Sequence, residues 1–542
     1  MDRKPVFALV LGLLTASGIW LLKISTPSGL GLIDDAISYI AAARALLNGQ
    51  GFTRIWLATA TEPITHWPPF FSFSLATISR IFDIDPYRSA RVLNILVFGA
   101  NAGILGLFGY KMTKSRLVGI FLSLLFLSNT ALIRLHAQAL SEPLYIFVSL
   151  LAFLAFYSYF EKEEHRNRKK TNENVIANEV KQSPRRSGRL PRQAKAFLAM
   201  TKNGWSENKY LFLAGALTAL SYLTRYAALS LLATFIIAIL ILRPTWRKRF
   251  SSLAFFLTGA LPPILVWMGR NKLVSGSATN RTIEWHPVTV ENAQRGLQEF
   301  FSFLIPLQDL RSGWIENYLF LTIILSVIAI ALLLWLLWRG WRCFFRQEKT
   351  SLEIIPFATA LYIFGYMGAL LVSLSFFDAA TPLNDRILSP VYVACLVILV
   401  FFIHSLFQQG KITRRIFASA LVLFLLVTFS IAQVRTVKAL QESPHGFASW
   451  RWRESMVMET LRNLPDDVEI HTNQPTAVYF WIDRPVYRLW DAQPKSLQSG
   501  EAAMAIFFPP DDESPEFQAW FAEMTEGLTL VEKSGLGNLY TK

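Results

Sequence analysis

The sequence predicts an all-α polytopic membrane protein of about 11–12 transmembrane helices, followed by a small C-terminal α/β domain. Hydrophobic residues make up 53% of the 542 residues. They collect in blocks of about 17–25 residues, the length of a helix that crosses a hydrocarbon core of about 30 Å. From about residue 433 the apolar blocks shorten and strand-like runs alternate with helical ones, a pattern typical of a small soluble domain.

Eleven apolar segments are candidate spans. They cover 6–22, 91–110, 117–134, 140–160, 209–224, 228–243, 250–268, 316–338, 354–376, 387–406 and 414–432. The Lys and Arg residues fall mainly in alternate loops, so the formal net charge of +15 indicates orientation and no nucleic-acid partner. The positive-inside rule places the N-terminus in the cytoplasm and residues 433–542 outside, as an extracytoplasmic domain.

Two segments between the spans differ from their surroundings. Residues 161–208 are rich in charge, Ser, Pro and Asn, and predict a flexible basic cytoplasmic linker. Within it, 175–184 resembles the translation of a dispersed bacterial repeat element, which favours an insertion in a protein of a bacterial inner or plasma membrane. The run 68–82 is apolar but too short to span, so we expect it to be re-entrant or interfacial.

The first outer loop, residues 25–90, carries a pair of adjacent carboxylates. Asp34 or Asp35 is predicted to cap a helix over 36–47, which Asn48 and the glycine after it end. This helix is amphipathic and too short to span, so we expect it to lie flat at the membrane surface. That position places both carboxylates at the depth of a lipid phosphate, although an ordinary helix cap is the alternative.

Five motifs on the predicted outer side carry a family resemblance. They are Asp35-x-x-x-Tyr39 followed by Arg44 and Gly49, Thr65-His66-Trp67-Pro68-Pro69-Phe70, Ser141-Glu142-Pro143-Leu144, Leu223-Thr224-Arg225, and Asn384-Asp385-Arg386-Ile387-Leu388-Ser389-Pro390. Their order and spacing over residues 1–400 resemble the GT-C glycosyltransferases, which include protein O-mannosyltransferases and lipid A aminoarabinose transferases. The chain departs from the pattern at Ala36, where these enzymes often have Glu, and this leaves open whether Asp34 supplies the second carboxylate.

The resemblance implies an inverting glycosyltransferase that moves a sugar from a polyprenyl-phosphate donor to a lipid, glycan or protein acceptor at the outer face of the membrane. Such a transfer needs a base for the acceptor hydroxyl and cations for the developing phosphate charge. We expect Asp35 to be the general base, with Asp34 as helper or metal ligand and Glu142 orienting the acceptor or sharing a cation. No cofactor is required by the sequence, and a divalent cation at the two aspartates is the alternative.

The donor phosphate and sugar are expected to contact His66, Tyr39, Arg225 and Arg386, the arginines through bidentate contacts with phosphate oxygens. Three of the four have a simpler alternative. Arg225 at a span end is placed to snorkel, Arg386 is placed to pair with the neighbouring Asp385, and His66 beside a tryptophan is typical of an interfacial belt.

A transporter or flippase of a lipid-linked precursor is the rival function. It predicts paired charges near the bilayer midplane and two repeated halves, and the sequence shows few such charges and no obvious repeat. A Walker-type phosphate loop and a zinc-protease helix are also absent from the sequence. The only sizeable soluble domain is predicted to lie outside, which favours a lipid-linked donor over a cytoplasmic nucleotide sugar.

Overall fold

The computed structural model describes residues 4–59, 62–180, 193–278, 283–311, 319–346, 353–377, 381–490, 492–508 and 514–542. The chain divides into two compact units. The helical unit comprises Met1–Ile19, Val97–Leu135 and Glu142–Val434, and the mixed unit comprises Trp20–Leu96, His136–Ser141 and Arg435–Lys542.

Long apolar helices dominate the first 442 residues. In chain order they are α1 (Lys4–Ser25), α2 (Asp34–Leu47), α3 (Phe70–Phe82), α4 (Pro86–Thr113), α5 (Arg116–Ser128), α6 (Thr130–His136), α7 (Glu142–Val180), α8 (Gln193–Thr224), α9 (Leu229–Leu242), α10 (Trp246–Ser275), α11 (Val290–Leu304), α12 (Gln308–Arg311), α13 (Leu319–Arg346), α14 (Ile354–Phe376), α15 (Asp385–Gln408) and α16 (Ile412–Glu442). A 3₁₀ turn at Tyr226–Ala228 leads into α9, and a two-stranded ribbon of β1 (Thr53–Arg54) and β2 (Glu62–Pro63) follows α2.

The chain is a multi-pass membrane protein. Among the described residues, seven helices are long and apolar enough to cross a membrane, and the pair α5–α6, bent by 63°, makes an eighth if it is one span. Three further predicted spans are not among these. Segment 209–224 is the second half of α8, 228–243 falls on the short apolar helix ending at Leu242, and 316–338 begins outside the described residues.

Two segments between the spans contain helix. Residues 161–208 are predicted to form a flexible linker; in the described part of that segment α7 continues to Val180 and α8 begins at Gln193, and the flexibility stays a prediction. Run 68–82 contains α3, whose 13 residues reach only about 20 Å at 1.5 Å per residue. This helix is too short to span the membrane.

Helices α8 and α10 pack with their backbones in contact. A Cβ atom at Gly215 would clash with the Phe256 carbonyl oxygen, and one at Gly259 would clash with the Phe212 carbonyl oxygen. Small residues at a crossing let membrane helices approach closely enough to gain van der Waals contact. The two glycines therefore set the separation of α8 and α10.

We expect Gly215→Ala to lower the free energy of unfolding by about 1–3 kcal/mol, because the added methyl group overpacks this crossing. The matched control is Gly269→Ala on α10, where an added Cβ meets nothing within 4 Å. It should stabilise the helix by about 0.5–1 kcal/mol. Thermal unfolding of the detergent-solubilised protein measures both, and equal midpoints for the two variants would contradict the packing argument.

The C-terminal residues form a mixed sheet in the order β4-β3-β5-β7-β6. Its strands are β3 (Glu469–Thr472), β4 (Tyr487–Arg488), β5 (Ala502–Phe507), β6 (Thr529–Lys533) and β7 (Gly537–Thr541). Strand β3 pairs in parallel with β4 and β5, whereas β7 pairs antiparallel with β5 and β6. The helices are α17 (Trp450–Arg453), α18 (Met456–Arg462), α19 (Pro475–Ile482), α20 (Lys495–Ser499) and α21 (Pro515–Thr525).

The predicted α/β character of the C-terminal domain is confirmed. The strand-like runs predicted over 468–471, 486–489, 503–508 and 528–532 correspond to β3, β4, β5 and β6. Strand β7 is an additional one, and the helix predicted over 450–464 is divided into α17 and α18. Strand β5 is buried along its whole length. Its alternate residues enter two separate apolar clusters, Ala503, Ala505 and Phe507 in one and Ala502, Met504 and Ile506 in the other, as expected for a strand covered on both faces.

The domain division differs from the predicted boundary between 1–432 and 433–542. Residues 20–96 group with 435–542 in one unit. Leu32 forms a β-bridge with Gly446, and Leu57 forms one with Val486. The sequence does not reveal this grouping, because the paired segments are separated by the whole helical unit.

Candidate functional site

The predicted site residues form two groups, one in each unit. Glu142, Arg225 and Arg386 belong to the helical unit. Asp34, Asp35, Tyr39 and His66 belong to the mixed unit.

In the helical unit, a single carboxylate joins two arginines. Arg386 donates from Nε to Glu142 Oε1, and Arg225 Nη1 forms an ion pair with the same oxygen. Glu142 is completely buried, and the side chains of Arg225 and Arg386 are 14% and 19% exposed. Three residues taken from three separate motifs are thus brought together.

Helix ends place these three side chains. Glu142 is the first residue of α7. Arg225 is an extended residue between α8 and the 3₁₀ turn. Arg386 lies in the first turn of α15, which begins after Asn384, whose side chain accepts a hydrogen bond from the Ile387 amide at 3.1 Å.

The cluster of Glu142, Arg225 and Arg386 has a net charge of +1. A buried carboxylate shared by two guanidinium groups orients both of them, and Arg presents a planar set of donors that matches a phosphate. The simpler alternative for Arg386 is not what the structure shows, because its neighbour Asp385 lies 3.7 Å from Arg134 Nη2 instead. The arrangement is suited to binding an anion.

In the mixed unit, helix α2 carries the two aspartates. It runs from Asp34 to Leu47 and ends at Asn48, whose backbone N–H bonds to the Arg44 carbonyl at 3.0 Å, so the predicted helix and its end are confirmed. The predicted aspartate cap is wrong. Ile33 occupies the N-cap without a side-chain cap, and Asp34 Oδ1 accepts a hydrogen bond from the Thr476 hydroxyl.

Protein covers α2 on most of its surface, and its predicted position flat at the membrane surface stays a prediction. Its buried residues are Ala36, Ile37, Ser38, Tyr39, Ile40, Ala41, Ala42, Ala43 and Ala45. The helix packs against α3, α19 and β1. Its many alanines allow these neighbours to approach closely.

Tyr39 and His66 lie among aromatic rings. Tyr39 is 3% exposed and meets Phe71 edge-on, with ring centroids 5.3 Å apart. Ser141 donates to the Tyr39 hydroxyl at 3.4 Å. His66 is half-buried, with its ring 5.6 Å from Trp67 and nearly perpendicular to it. Donor contacts by Tyr39 and His66 remain predictions.

The two aspartates are adjacent residues in the first turn of α2. Consecutive helix residues project about 100° apart, and within the described ranges no group of three or more His, Cys, Asp or Glu side chains is placed to hold a metal ion. A divalent cation at Asp34 or Asp35 would therefore need further oxygen ligands, such as phosphate oxygens of a substrate.

Comparisons with known proteins agree with this architecture. Residues 62–176 match the family model "Dolichyl-phosphate-mannose-protein mannosyltransferase". Comparison with curated protein sequences finds no match.

Solved structures are similar in fold. The oligosaccharyltransferase of Archaeoglobus fulgidus tethered to an acceptor peptide aligns with 100% of this chain and 74% of its own, at 11% identity and a TM-score of 0.54. The same archaeal enzyme, AglB, with an inhibitory peptide and a dolichol-phosphate aligns over 96% and 72%, at 11% identity and a TM-score of 0.53. The mycobacterial arabinofuranosyltransferase AftD aligns with 100% of this chain and 40% of its own, at 12% identity and a TM-score of 0.52. The chain therefore has the GT-C fold and resembles the GT-C membrane glycosyltransferases.

Proposed function

We propose that the protein is a glycosyltransferase that takes a sugar from a polyprenyl-phosphate donor and transfers it to an acceptor hydroxyl. The observation that carries this proposal is the cluster of Arg225 and Arg386 on the buried carboxylate of Glu142. Two oriented guanidinium groups with a net positive charge suit a phosphate that gains charge as the sugar leaves. Glu142 would act as their counter-ion and hold their geometry.

A cavity in the helical unit supports a lipid-linked donor. It is lined largely by apolar and aromatic side chains, including Tyr145, Phe153 and Pro390. Tyr145 lies one helical turn from Glu142 on α7, and Pro390 lies one turn from Arg386 on α15, since helix neighbours three and four apart share a face. An apolar cavity that starts beside a cationic cluster suits a prenyl chain attached to a phosphate.

The reaction would be a single displacement. The acceptor oxygen forms a bond to C1 of the sugar as the C1–oxygen bond to the phosphate breaks, which inverts C1 and releases polyprenyl phosphate. Asp35 would accept the proton of the acceptor hydroxyl. Arg225 and Arg386 would stabilise the leaving phosphate. The comparisons support this donor class, since the matching family model names a dolichyl-phosphate sugar and the similar archaeal structure contains a dolichol-phosphate.

The test is sugar transfer by the purified full-length protein from a panel of radiolabelled polyprenyl-phosphate sugars, with the matching nucleotide sugars as the comparison. We expect product only with lipid-linked donors. Transfer from a nucleotide sugar alone would overturn the proposed donor. Movement of the labelled lipid across vesicle membranes without any transfer would overturn the enzyme and favour a flippase.

A further inference from the structure

Helix α19 contacts α2 at both ends, within the mixed unit. At one end, the Thr476 hydroxyl donates to Asp34 Oδ1, and Thr476 is only 7% exposed. At the other end, Arg44 Nη1 lies 3.1 Å from Asp483 Oδ1. Asp34 and Thr476 lie at the starts of α2 and α19. Arg44 lies in the last turn of α2, and Asp483 directly follows α19. The two helices therefore run side by side in the same direction.

Arg44 makes further contacts besides the one with Asp483. Its Nε also lies 2.9 Å from Asp85 Oδ2, and its guanidinium lies over the rings of Phe480 and Tyr479, 5.6 and 6.0 Å from their centroids. The Arg44 side chain is 19% exposed, whereas its partners Asp85 and Asp483 are 39% and 79% exposed. Solvent therefore screens the pair with Asp483, and the two aromatic rings hold the guanidinium together with the carboxylates. Arg44 also belongs to the GT-C-like pattern of the first outer loop.

Backbone pairing extends the attachment to both sides of α2. Before the helix, the Leu32 amide donates to the His445 carbonyl at 3.0 Å. After it, the Ala58 amide donates to the Val486 carbonyl at 2.9 Å. The segment that carries the candidate base is thus held by C-terminal residues before, along and after its helix.

We infer that α19 is a positioning element for the acidic pair of α2, with Thr476 fixing the carboxylate of Asp34 and the Arg44–Asp483 ion pair fixing the opposite end of the helix. The catalytic meaning of this clamp rests on the proposed function. The hydrogen bond from Thr476 keeps the Asp34 carboxylate in one rotamer. Asp35 lies in the same first turn of α2, so its backbone is held in place as well. The C-terminal domain is then part of the catalytic scaffold.

The first test compares Thr476→Val with Thr476→Ser in the transfer assay. Valine keeps the volume and removes the hydroxyl, so kcat should fall about tenfold, the worth of one hydrogen bond to a charged group, with KM for the donor unchanged. Serine keeps the hydroxyl and should restore kcat to within about twofold. Thr525→Val is the control, because Thr525 bonds to the carbonyl of Phe521 in its own helix. Equal kcat for Thr476→Val and wild type, or equal losses for valine and serine, would overturn the inference.

The second test needs no activity. Hydrogen exchange of the amides over 38–47 should accelerate about fivefold or more in Thr476→Val, which removes a buried attachment of α2. It should accelerate about twofold to fivefold in Asp483→Asn, because solvent screens the ion pair of this 79% exposed side chain. Asp467→Asn, an exposed carboxylate of the same domain, should leave the exchange unchanged. Unchanged exchange in both clamp variants would refute the clamp, whereas a wild-type protein that transfers no sugar would refute the proposed function and leave the exchange result standing.

Discussion

Replacing Glu142 with glutamine is expected to lower the free energy of unfolding by about 3–5 kcal/mol, the usual cost of removing one partner from a buried ion pair. Glu142 is completely buried, and both Arg225 and Arg386 lie against the same carboxylate oxygen. Glutamine keeps the shape of the side chain and removes its charge, so two guanidinium groups would stay close together without the carboxylate that they share. Thermal unfolding of the purified protein in detergent measures the loss.

A second glutamate on the same helix provides the control. Glu161 contacts Lys111 at 2.7 Å and Lys114 at 3.3 Å, but its side chain is 19% exposed. Glu161 reaches solvent whereas Glu142 does not, and its partner Lys114 is 48% exposed. Screening by solvent should therefore keep the cost of Glu161→Gln at about 1 kcal/mol, below that of Glu142→Gln. Equal shifts in the unfolding midpoints of the two variants would show that burial does not determine how much the Glu142 ion pairs contribute to the free energy of unfolding.

A double variant tests the cause of the destabilisation. Arg386→Met removes one of the two cations, so combining it with Glu142→Gln returns the cluster to the wild-type net charge of +1. The double variant should therefore be more stable than Glu142→Gln alone, with a coupling energy of about 0.5–3 kcal/mol between the two positions. Additive losses would mean that lost packing, and not the uncompensated charge, explains the effect.

The sequence identifies the three members of this cluster, but it does not show that they pair with one another. Glu142, Arg225 and Arg386 are noticeable because each polar side chain lies beside a long apolar block, where ionisable groups are expensive. Glu142 and Arg386 are 244 residues apart in sequence, and local patterns do not specify which helix ends meet. The local alternative, a pair between Arg386 and its neighbour Asp385, is not formed, because Asp385 lies 3.7 Å from Arg134.

The same limit applies to α2 in the mixed unit. Its bounds follow from local signals, the helix-forming alanines and the Asn-Gly end, and these predictions are confirmed. Its environment does not follow, because the covering helix α19 lies more than 400 residues along the chain. The carboxylate of Asp34, expected to cap its own helix, instead accepts a hydrogen bond from Thr476. A tertiary partner thus replaces a local one.

Replacing Asp35 with asparagine is expected to reduce kcat for sugar transfer by about 10²–10⁴-fold, the typical contribution of a positioned general base. Asparagine has nearly the same shape, and Asp35 lies in the first turn of α2, where asparagine is tolerated. The variant should therefore fold, and its binding of the donor lipid should be unchanged. The measurements are kcat from the transfer assay and the equilibrium affinity for the polyprenyl-phosphate sugar.

Two matched variants identify which carboxylate acts. Asp83→Asn removes an exposed carboxylate of the same unit at a left-handed position, φ 52°, which asparagine adopts readily, and it should leave kcat unchanged. Asp34→Asn should lower kcat much less than Asp35→Asn. The amide oxygen of the introduced asparagine can still accept the hydrogen bond from Thr476. In addition, adjacent helix residues project about 100° apart, so the two side chains do not both reach one acceptor hydroxyl. A collapse of transfer in Asp34→Asn with full activity in Asp35→Asn would instead assign the base to Asp34, and α19 would then bind the catalytic carboxylate directly.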